Sequence, residues 1–197
     1  MKNNFDIKHS TQKFIAVIIC FVLFSSNVFS QLSTIKKTVN FGMIQAKSRS
    51  VEAIIIHSTF NNSGGDIYDI DLVIKQFSCY NVSPHYLIGR DGTIYLMVDE
   101  KNIAFHAGKS RLPDGNSAVN SCSLGIELVN SFDESPTQEQ IQSLIYLVSD
   151  IQSRYKIRYI LRHSDIAPDR KTDPWNFDWE GFMQEISKNE TAIKVAE

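Results

Sequence analysis

The sequence predicts an α/β fold, a single domain with a central mixed β-sheet flanked by helices. Two observations support this prediction. Solid apolar runs, which are typical of strands buried on both faces, alternate along the chain with segments whose apolar residues recur at helical spacing. Because such strands need cover on both faces, the intervening helices are expected to pack on both sides of the sheet. The 197 residues, 43% of them hydrophobic, suit one ordinary globular domain.

The first half of the predicted domain contains a buried strand, a helix and a hairpin. Residues 52–58 read Glu-Ala-Ile-Ile-Ile-His-Ser, an apolar run that predicts a central strand. Apolar residues recur at helical spacing over residues 69–80, which predicts an amphipathic helix. The dipeptide Asp91-Gly92 separates apolar runs at 86–89 and 93–98, and Asp-Gly in that setting predicts a β-hairpin.

The second half adds another buried strand and the clearest helix. Residues 123–129 read Ser-Leu-Gly-Ile-Glu-Leu-Val and predict a strand. Thr137 followed by Gln140 predicts a capping box at a helix N-terminus, and helical spacing of apolar residues continues from there to Tyr155. A short strand over 159–162 and a helix over 178–187 complete the predicted elements.

The remaining segments are assigned from their composition. Residues 1–30 combine a Lys-containing start, an apolar run at 14–24 and a small residue before the cleavage point, which predicts a secretory signal peptide cleaved after Ser30. That run is shorter than the about 20 residues that span a bilayer, so no stable membrane insertion is expected after cleavage, and an uncleaved anchor is the alternative. Residues 31–50 are a lead-in to the domain at 51–187, and residues 188–197 are expected to form a frayed polar tail.

The net charge argues against nucleic-acid binding, and the cysteine content leaves the presence of a disulfide open. A formal net charge of −2 and a pI near 6.2 argue against a nucleic-acid partner, which would need a basic surface. Cys79 and Cys122 would remain after signal cleavage, in an oxidising compartment. We expect two buried, unpaired thiols, while a disulfide stays open because sequence does not give the distance between them.

Two histidines are predicted at the ends of strands. His57 follows an apolar run of three isoleucines, and His163 follows Ile160-Leu161-Arg162. Strand ends in an open α/β sheet face a common crevice where ligands bind. Two imidazoles there could share a zinc ion, with Asp173 in the following Pro- and Asp-rich loop as the third ligand. On spacing alone, two structural histidines and a turn aspartate remain the alternative.

A series of motifs identifies a family. Ordered along the chain, they are Ile-Ile-Ile-His-Ser-Thr (54–59), Pro-His-Tyr-Leu-Ile-Gly-Arg-Asp-Gly (84–92), Ala-Phe-His-Ala-Gly (104–108), Ser-Leu-Gly-Ile-Glu-Leu (123–128) and Arg-His-Ser-Asp-Ile-Ala-Pro-Asp-Arg-Lys-Thr-Asp-Pro (162–174). Together they strongly resemble the type 2 N-acetylmuramoyl-L-alanine amidases, a zinc-dependent family that shares its fold with phage amidase lysozymes and peptidoglycan recognition proteins. The resemblance covers about residues 50–182 and implies that fold.

The resemblance also implies roles for individual residues. One Zn²⁺ would be bound by His57, His163 and Asp173. Glu127 matches the acidic residue that polarises the catalytic water, and Lys171 matches the cation that stabilises the oxyanion. His106 matches a histidine on the wall of the substrate groove. The implied reaction is hydrolysis of the amide between N-acetylmuramic acid and the L-Ala of the peptidoglycan stem peptide.

Elementary chemistry agrees with these roles, and each residue also has a structural alternative. Strand alternation places Glu127 on the face opposite Ile126 and Leu128, where an unpaired carboxylate is costly and a function is favoured. Lys171 could be a solvated loop charge, and His106 could cap a turn. In the phage branch a Tyr occupies the position of Pro84, so Glu127 is expected to act without a Tyr partner. His85 is expected to be structural.

Three functions fit this sequence. The first is a secreted zinc amidase whose partners are peptidoglycan or muropeptides. The second is a non-catalytic peptidoglycan- or muropeptide-binding module, because some relatives keep the fold and lose zinc ligands. The third is the same chemistry used as a secreted antibacterial toxin or on scavenged fragments. The signal peptide predicts a periplasmic or extracellular location, and we expect a monomer.

Overall fold

The computed structural model describes the backbone of residues 34–196 and the side chains as far as residue 189. Its centre is a six-stranded mixed sheet. In spatial order the strands are β1 (Thr34–Lys36), β5 (Ile94–Leu96), β4 (Tyr86–Ile88), β7 (Ser123–Val129), β3 (Ala53–Thr59) and β8 (Tyr159–Arg162). All neighbouring pairs are parallel except β4 and β5, which form an antiparallel hairpin. A small antiparallel sheet pairs β2 (Met43–Ile44) with β6 (Ile103–Ala104).

Helices cover both faces of the large sheet. They are α1 (Ile70–Tyr80), α2 (Val119–Cys122), α3 (Gln138–Arg154), α4 (His163–Ile166) and α5 (Trp179–Ala196). On one face, Ile54, Ile56, Leu124, Ile126 and Leu128 pack against apolar residues of α3 and α5. On the other face, separate apolar clusters involve α1 and the region around α2 and α4. This arrangement confirms the predicted α/β fold with a mixed sheet between helices.

Local sequence signals mark the N-termini of the two long helices within residues 34–154. The side chain of Asp69 accepts hydrogen bonds from the N–H groups of Asp71 and Leu72 and caps α1. Thr137 and Gln140 form the predicted capping box at the start of α3. These bonds satisfy backbone donors that have no partner within the helix, so the polar cap and the apolar stripe together specify each helix.

The structure corrects two expectations. The last helix does not end at residue 187 but continues to Ala196, into the segment expected to be a frayed tail, because neither Gly nor Pro occurs over residues 182–196. Cys79 and Cys122 are unpaired as expected, but Cys79 is exposed on α1 and Cys122 is only half-buried. Their expected burial was wrong, since the apolar stripe of α1 uses Val73 and Phe77 and leaves residue 79 outside it.

The predicted signal peptide lies outside the described residues and stays a prediction. Within residues 34–196, no helix combines the length and apolar content that a membrane span requires.

Candidate active site

Two strand ends and one loop bring three ligand-type side chains together. His57 lies on β3, and His163 directly follows β8, which is the parallel neighbour of β3. The loop after α4 folds back, where the Ser164 N–H donates to the Asp173 carbonyl at 3.0 Å. The Nδ1 atoms of the two histidines are 2.9 Å apart, and Asp173 Oδ2 lies 3.0 Å from His163 Nδ1 and 3.5 Å from His57 Nδ1.

This cluster is buried, and burial sets its electrostatics. His57, His163 and Asp173 are 1%, 4% and 4% exposed. Burial lowers the pKa of His57 to about 4, against the opposing effect of the neighbouring Asp173. Burial opposes ionisation of Asp173, but its close contacts with His163 and His57 outweigh burial and hold the pKa of that carboxyl far below its usual range. Near neutral pH, the neutral imidazole of His57 therefore lies beside the carboxylate of Asp173.

The donor set fits a zinc ion. The three candidate ligand atoms lie within 4.8 Å of one another. Two imidazoles and one carboxylate are the ligand types of a catalytic zinc site, which keeps one further position open. Buried carboxylates without a paired cation are costly, so a cation bound among these atoms would also satisfy Asp173.

Glu127 lies beside this cluster because of strand register. On the parallel pair β3 and β7, His57 is directly opposite Glu127, so both side chains project from the same face of the sheet. The carboxyl atom Oε2 is enclosed and has no hydrogen-bond partner among the described residues. Burial, followed by the negative charge of Asp173, raises the pKa of Glu127 well above its ordinary value, while Lys171 acts in the opposite direction. An enclosed carboxyl with a raised pKa is a candidate general acid and base.

The other two predicted site residues also adjoin the cluster. Lys171 lines the same cleft, and its positive charge acts on both Glu127 and His57. The ring of His106 is only 9% exposed, and its Nδ1 lies 3.0 Å from His57 Nε2. Both ring nitrogens of His106 are within hydrogen-bond distance of protein atoms. A contact between His106 and substrate stays a prediction.

His85 has the structural role expected for it. Its Nδ1 accepts a hydrogen bond from the Gly125 N–H at 3.0 Å, and its Nε2 lies 3.2 Å from the Asn102 carbonyl. Its ring therefore joins β7 to the segment before β6 and does not point its lone pair into the metal cluster.

A cleft of about 500 Å³ opens over the cluster. Its lining includes Glu127, His163, Lys171 and Asp173, and His106 and Asn120 contribute to the wall. The predicted site residues other than His57 all line it, and His57 is in contact with His106, His163 and Asp173 behind that lining. The volume is within the range of small-molecule sites in proteins.

Sequence reasoning missed an aromatic wall on this cleft. The ring of Phe132 lies 4.9 Å from that of Phe60 and 4.7 Å from that of Trp175, and all three line the cleft. Phe132 is 58% exposed, which is unusual for a large apolar side chain. Trp175 is half-buried. Isolated aromatic residues in three separate loops gave no periodic signal, so only the fold brings them together.

Comparisons with known sequences agree with this geometry. A family model that describes N-acetylmuramoyl-L-alanine amidases matches residues 47–176. The N-acetylmuramoyl-L-alanine amidase AmiD of Escherichia coli K12 is 32% identical over 160 residues, which cover 72% of this chain and 55% of AmiD. The 1,6-anhydro-N-acetylmuramyl-L-alanine amidase AmpD of the same bacterium is 40% identical over 113 residues, 56% of this chain and 61% of AmpD. The chain thus spans about 55% to 61% of the length of these curated relatives.

Solved structures share the fold. A crystal structure of an AmpD derivative superposes with a TM-score of 0.67 and 26% identity, covering 78% of this chain and 94% of that chain. AmiD from E. coli, solved in complex with the substrate anhydro-N-acetylmuramic acid-L-Ala-D-γ-Glu-L-Lys, gives a TM-score of 0.59 and 32% identity over 72% of this chain and 60% of that chain. The family match contains every predicted site residue, and the chain belongs to the N-acetylmuramoyl-L-alanine amidase family.

Proposed function

We propose that this domain is a zinc-dependent amidase that hydrolyses the amide bond between N-acetylmuramic acid and the L-Ala of peptidoglycan stem peptides. One observation carries the proposal: the half-buried side chain of Glu127, whose Oε2 is enclosed and unpartnered among the described residues, adjoins a buried His-His-Asp cluster in a cleft. A binding module needs neither an acid-base group nor a metal-ligand set in that position. Membership of the amidase family supports the same reaction.

The residues of the cleft can divide the reaction among them. His57, His163 and Asp173 would hold the zinc ion. When bound, zinc lowers the pKa of water and polarises a carbonyl group. Glu127 can accept the proton of the attacking water and donate it to the amide nitrogen that leaves with L-Ala. Lys171 places a positive charge where the carbonyl oxygen becomes negative, which favours the tetrahedral state over the bound amide.

The proposed substrates are muropeptides or peptidoglycan. AmiD is described with an anhydro-muramyl peptide, and the cleft here is large enough for a comparable fragment. The aromatic wall defined by Phe60, Phe132 and Trp175 offers apolar surface beside the proposed zinc site.

Replacing Phe132 with Ala should raise KM for a muropeptide several-fold and leave kcat nearly unchanged, because the ring lies at the exposed edge of the cleft. An unchanged KM would exclude Phe132 from substrate binding.

We also propose that the enzyme acts outside the cytoplasm as a monomer. The signal-peptide pattern of residues 1–30 supports export to the periplasm or beyond. The proposed metal ligands, Glu127 and Lys171 all belong to one chain, so the proposed site needs no residue from a second copy.

The test is to incubate the purified full-length chain, loaded with zinc, with intact sacculi and with isolated muropeptides, and to analyse the products by mass spectrometry. We expect release of stem peptides that begin with free L-Ala. EDTA treatment and His57→Ala should abolish release, and the isosteric Glu127→Gln should slow it by about 100-fold or more without loss of zinc. Binding without cleavage by zinc-replete protein would exclude the enzyme and leave the binding module. Cleavage at another bond would keep the metal site and exclude the proposed substrate bond.

A further inference from the structure

Each candidate zinc histidine presents one ring nitrogen to the metal cluster and the other to the protein. The Nδ1 atoms of His57 and His163 face each other and Asp173. On the outer side, His57 Nε2 lies 3.0 Å from His106 Nδ1, and His163 Nε2 lies 3.3 Å from the carbonyl oxygen of Ala107. The outer contacts therefore decide which nitrogen of each ring carries the proton.

The contact of His57 continues through two more residues and ends on a carbonyl group. His106 Nε2 lies 3.2 Å from Ser123 Oγ, and Ser123 Oγ donates to the carbonyl oxygen of Val119 at 2.6 Å. A carbonyl oxygen only accepts hydrogen bonds, and a serine hydroxyl has a single proton. Because that proton is directed at Val119, Ser123 Oγ must accept from the Nε2–H of His106.

The same reasoning gives the direction of the remaining bond. The ring of His106 is buried and has no carboxylate among its hydrogen-bond partners, so it is neutral and carries one N–H. With its proton on Nε2, His106 presents an unprotonated Nδ1, which accepts from the Nε2–H of His57. The lone pair of His57 Nδ1 then points at His163 and Asp173. We name this chain, from Val119 through Ser123 and His106 to His57, the tautomer relay.

The backbone around His106 is built to hold the relay in place. The side-chain oxygen of Asn120 accepts from the N–H groups of both His106 and Ala107, at 3.1 and 2.9 Å. Gly125 on β7 makes room for the His106 ring, since a Cβ there would lie 2.3 Å from His106 Cγ. Ser123 and Gly125 project from the same face of β7 as Glu127, so a single strand face carries the support of the site and its carboxyl group.

From this geometry, and given the proposed zinc-dependent function, we infer that Ser123 and His106 are positioning residues that hold His57 as its Nε2–H tautomer, with Nδ1 free to bind the metal. His163 is held in the same tautomer by the Ala107 carbonyl, which only accepts. The cluster then presents two ring lone pairs and a carboxylate, with no donor among them. Three converging acceptors in a buried site are satisfied by a cation, which agrees with a zinc site.

The consequence is measurable as metal affinity. Without the relay, the proton of His57 can also occupy Nδ1, and the ring loses the outer partner that fixes its orientation toward the metal. Outer partners of metal-binding histidines typically account for about 10- to 100-fold in metal affinity. We expect Ser123→Ala to weaken zinc binding about 10-fold, and His106→Leu, which keeps volume and removes the acceptor, to weaken it more.

Two further variants separate the relay from ordinary packing. His106→Asn places an amide oxygen near the position of Nδ1 and should restore most of the zinc affinity that His106→Leu loses. Ser143→Ala is the matched control, because Ser143 is also 1% exposed or less in the fold and its Oγ donates to the Gly92 carbonyl at the same 2.6 Å, remote from the site. We expect Ser143→Ala to leave zinc affinity unchanged.

The experiment is competition of the full-length variants with a chromophoric chelator, with circular dichroism of each metal-free protein as the folding control. Weakened binding in Ser123→Ala and His106→Leu, recovery in His106→Asn and no change in Ser143→Ala would support the relay. Equal zinc affinity in Ser123→Ala and Ser143→Ala would overturn it.

A second readout does not depend on zinc or on catalysis. Ring couplings in ¹⁵N-histidine-labelled, metal-free protein report which nitrogen carries each proton. We expect His106 to be the Nε2–H form in the wild type and a mixture of forms in Ser123→Ala. An Nδ1–H form of His106 in the wild type would overturn the relay. If the protein binds zinc and His106 has the expected tautomer but no amide is cleaved, the relay is supported and only the proposed function is contradicted.

Discussion

The two faces of strands β3 and β7 differ in chemistry. One face carries Ile54, Ile56, Leu124, Ile126 and Leu128, all fully buried against α3 and α5. The opposite face, on the same two strands, carries the apolar side chains Ala53, Ile55 and Val129 and, at and beneath the cleft, His57, Ser123, Gly125 and Glu127. Because successive residues point to opposite faces, a single seven-residue strand can hold both the core and the site. Stability and chemistry are therefore separable by substituting adjacent residues.

The largest effect expected on the cleft face is that of Glu127→Gln. Removing a general acid-base group should lower kcat for muropeptide cleavage by about 10²- to 10⁴-fold. Thermal stability should not fall, since Gln fills the same space and removes a buried group whose ionisation is unfavourable. Steady-state kinetics and thermal unfolding measure the two effects. Activity within 3-fold of the wild type would remove Glu127 from the mechanism.

Substitution of Ile126, the neighbour of Glu127 on the apolar face, should lower stability and leave the metal site intact. Ile126 is fully buried on the apolar face, so Ile126→Ala should lower the free energy of unfolding by about 2 to 5 kcal/mol through lost burial and a residual cavity. Zinc affinity of the folded protein should change little. Urea unfolding and chelator competition test this pair of expectations. A large loss of zinc affinity at unchanged stability would show that the two faces are not separable.

Gly125→Ala should damage the site without touching the apolar face. The added Cβ would overlap the His106 ring, which has to move away from His57. We expect zinc to bind about 10- to 100-fold more weakly, as for loss of an outer partner. The control is the double variant Gly125→Ala with His106→Ala, which should be no weaker than His106→Ala alone. Additive losses would mean that Gly125 acts through something other than His106.

The smallest expected effect is the pH dependence contributed by His85. Burial, together with the charge of Arg49, lowers the pKa of His85 to about 3, so its folded form binds fewer protons than its unfolded form below pH 6.5. Its contribution to stability therefore falls as the pH drops below 6.5, by up to about 1.4 kcal/mol per pH unit, and stops changing below about pH 3. Urea unfolding of metal-free wild type and His85→Gln between pH 7 and pH 5 should show a shallower slope in the variant. Equal slopes would show that His85 is not buried in its neutral form.

Local pattern determined the elements of the fold. The capping residues, the apolar stripes and the Asp91-Gly92 turn are short-range signals, and the structure has the corresponding helices and hairpin where they were predicted. The very short strands β1, β2 and β6 were not predicted, because two or three residues do not establish a period. Motifs also indicated the side chains that carry the proposed chemistry, and strand alternation predicted that Glu127 lies on the face opposite Ile126.

Only the tertiary structure decided how those side chains cooperate. Strand order placed β3 between β7 and β8 and so brought His57 between Glu127 and His163, a neighbourhood that sequence separation does not encode. It also placed the ring of His106 against His57, where sequence had suggested only the groove wall, and it joined Ser123 to that ring. Residue type and periodicity are local properties of the chain, so the sequence by itself determined which groups are present and on which face of a strand they lie. The direction of the hydrogen bonds between His57, His106 and Ser123 depends on atoms from distant segments, so only the assembled tertiary structure determines it.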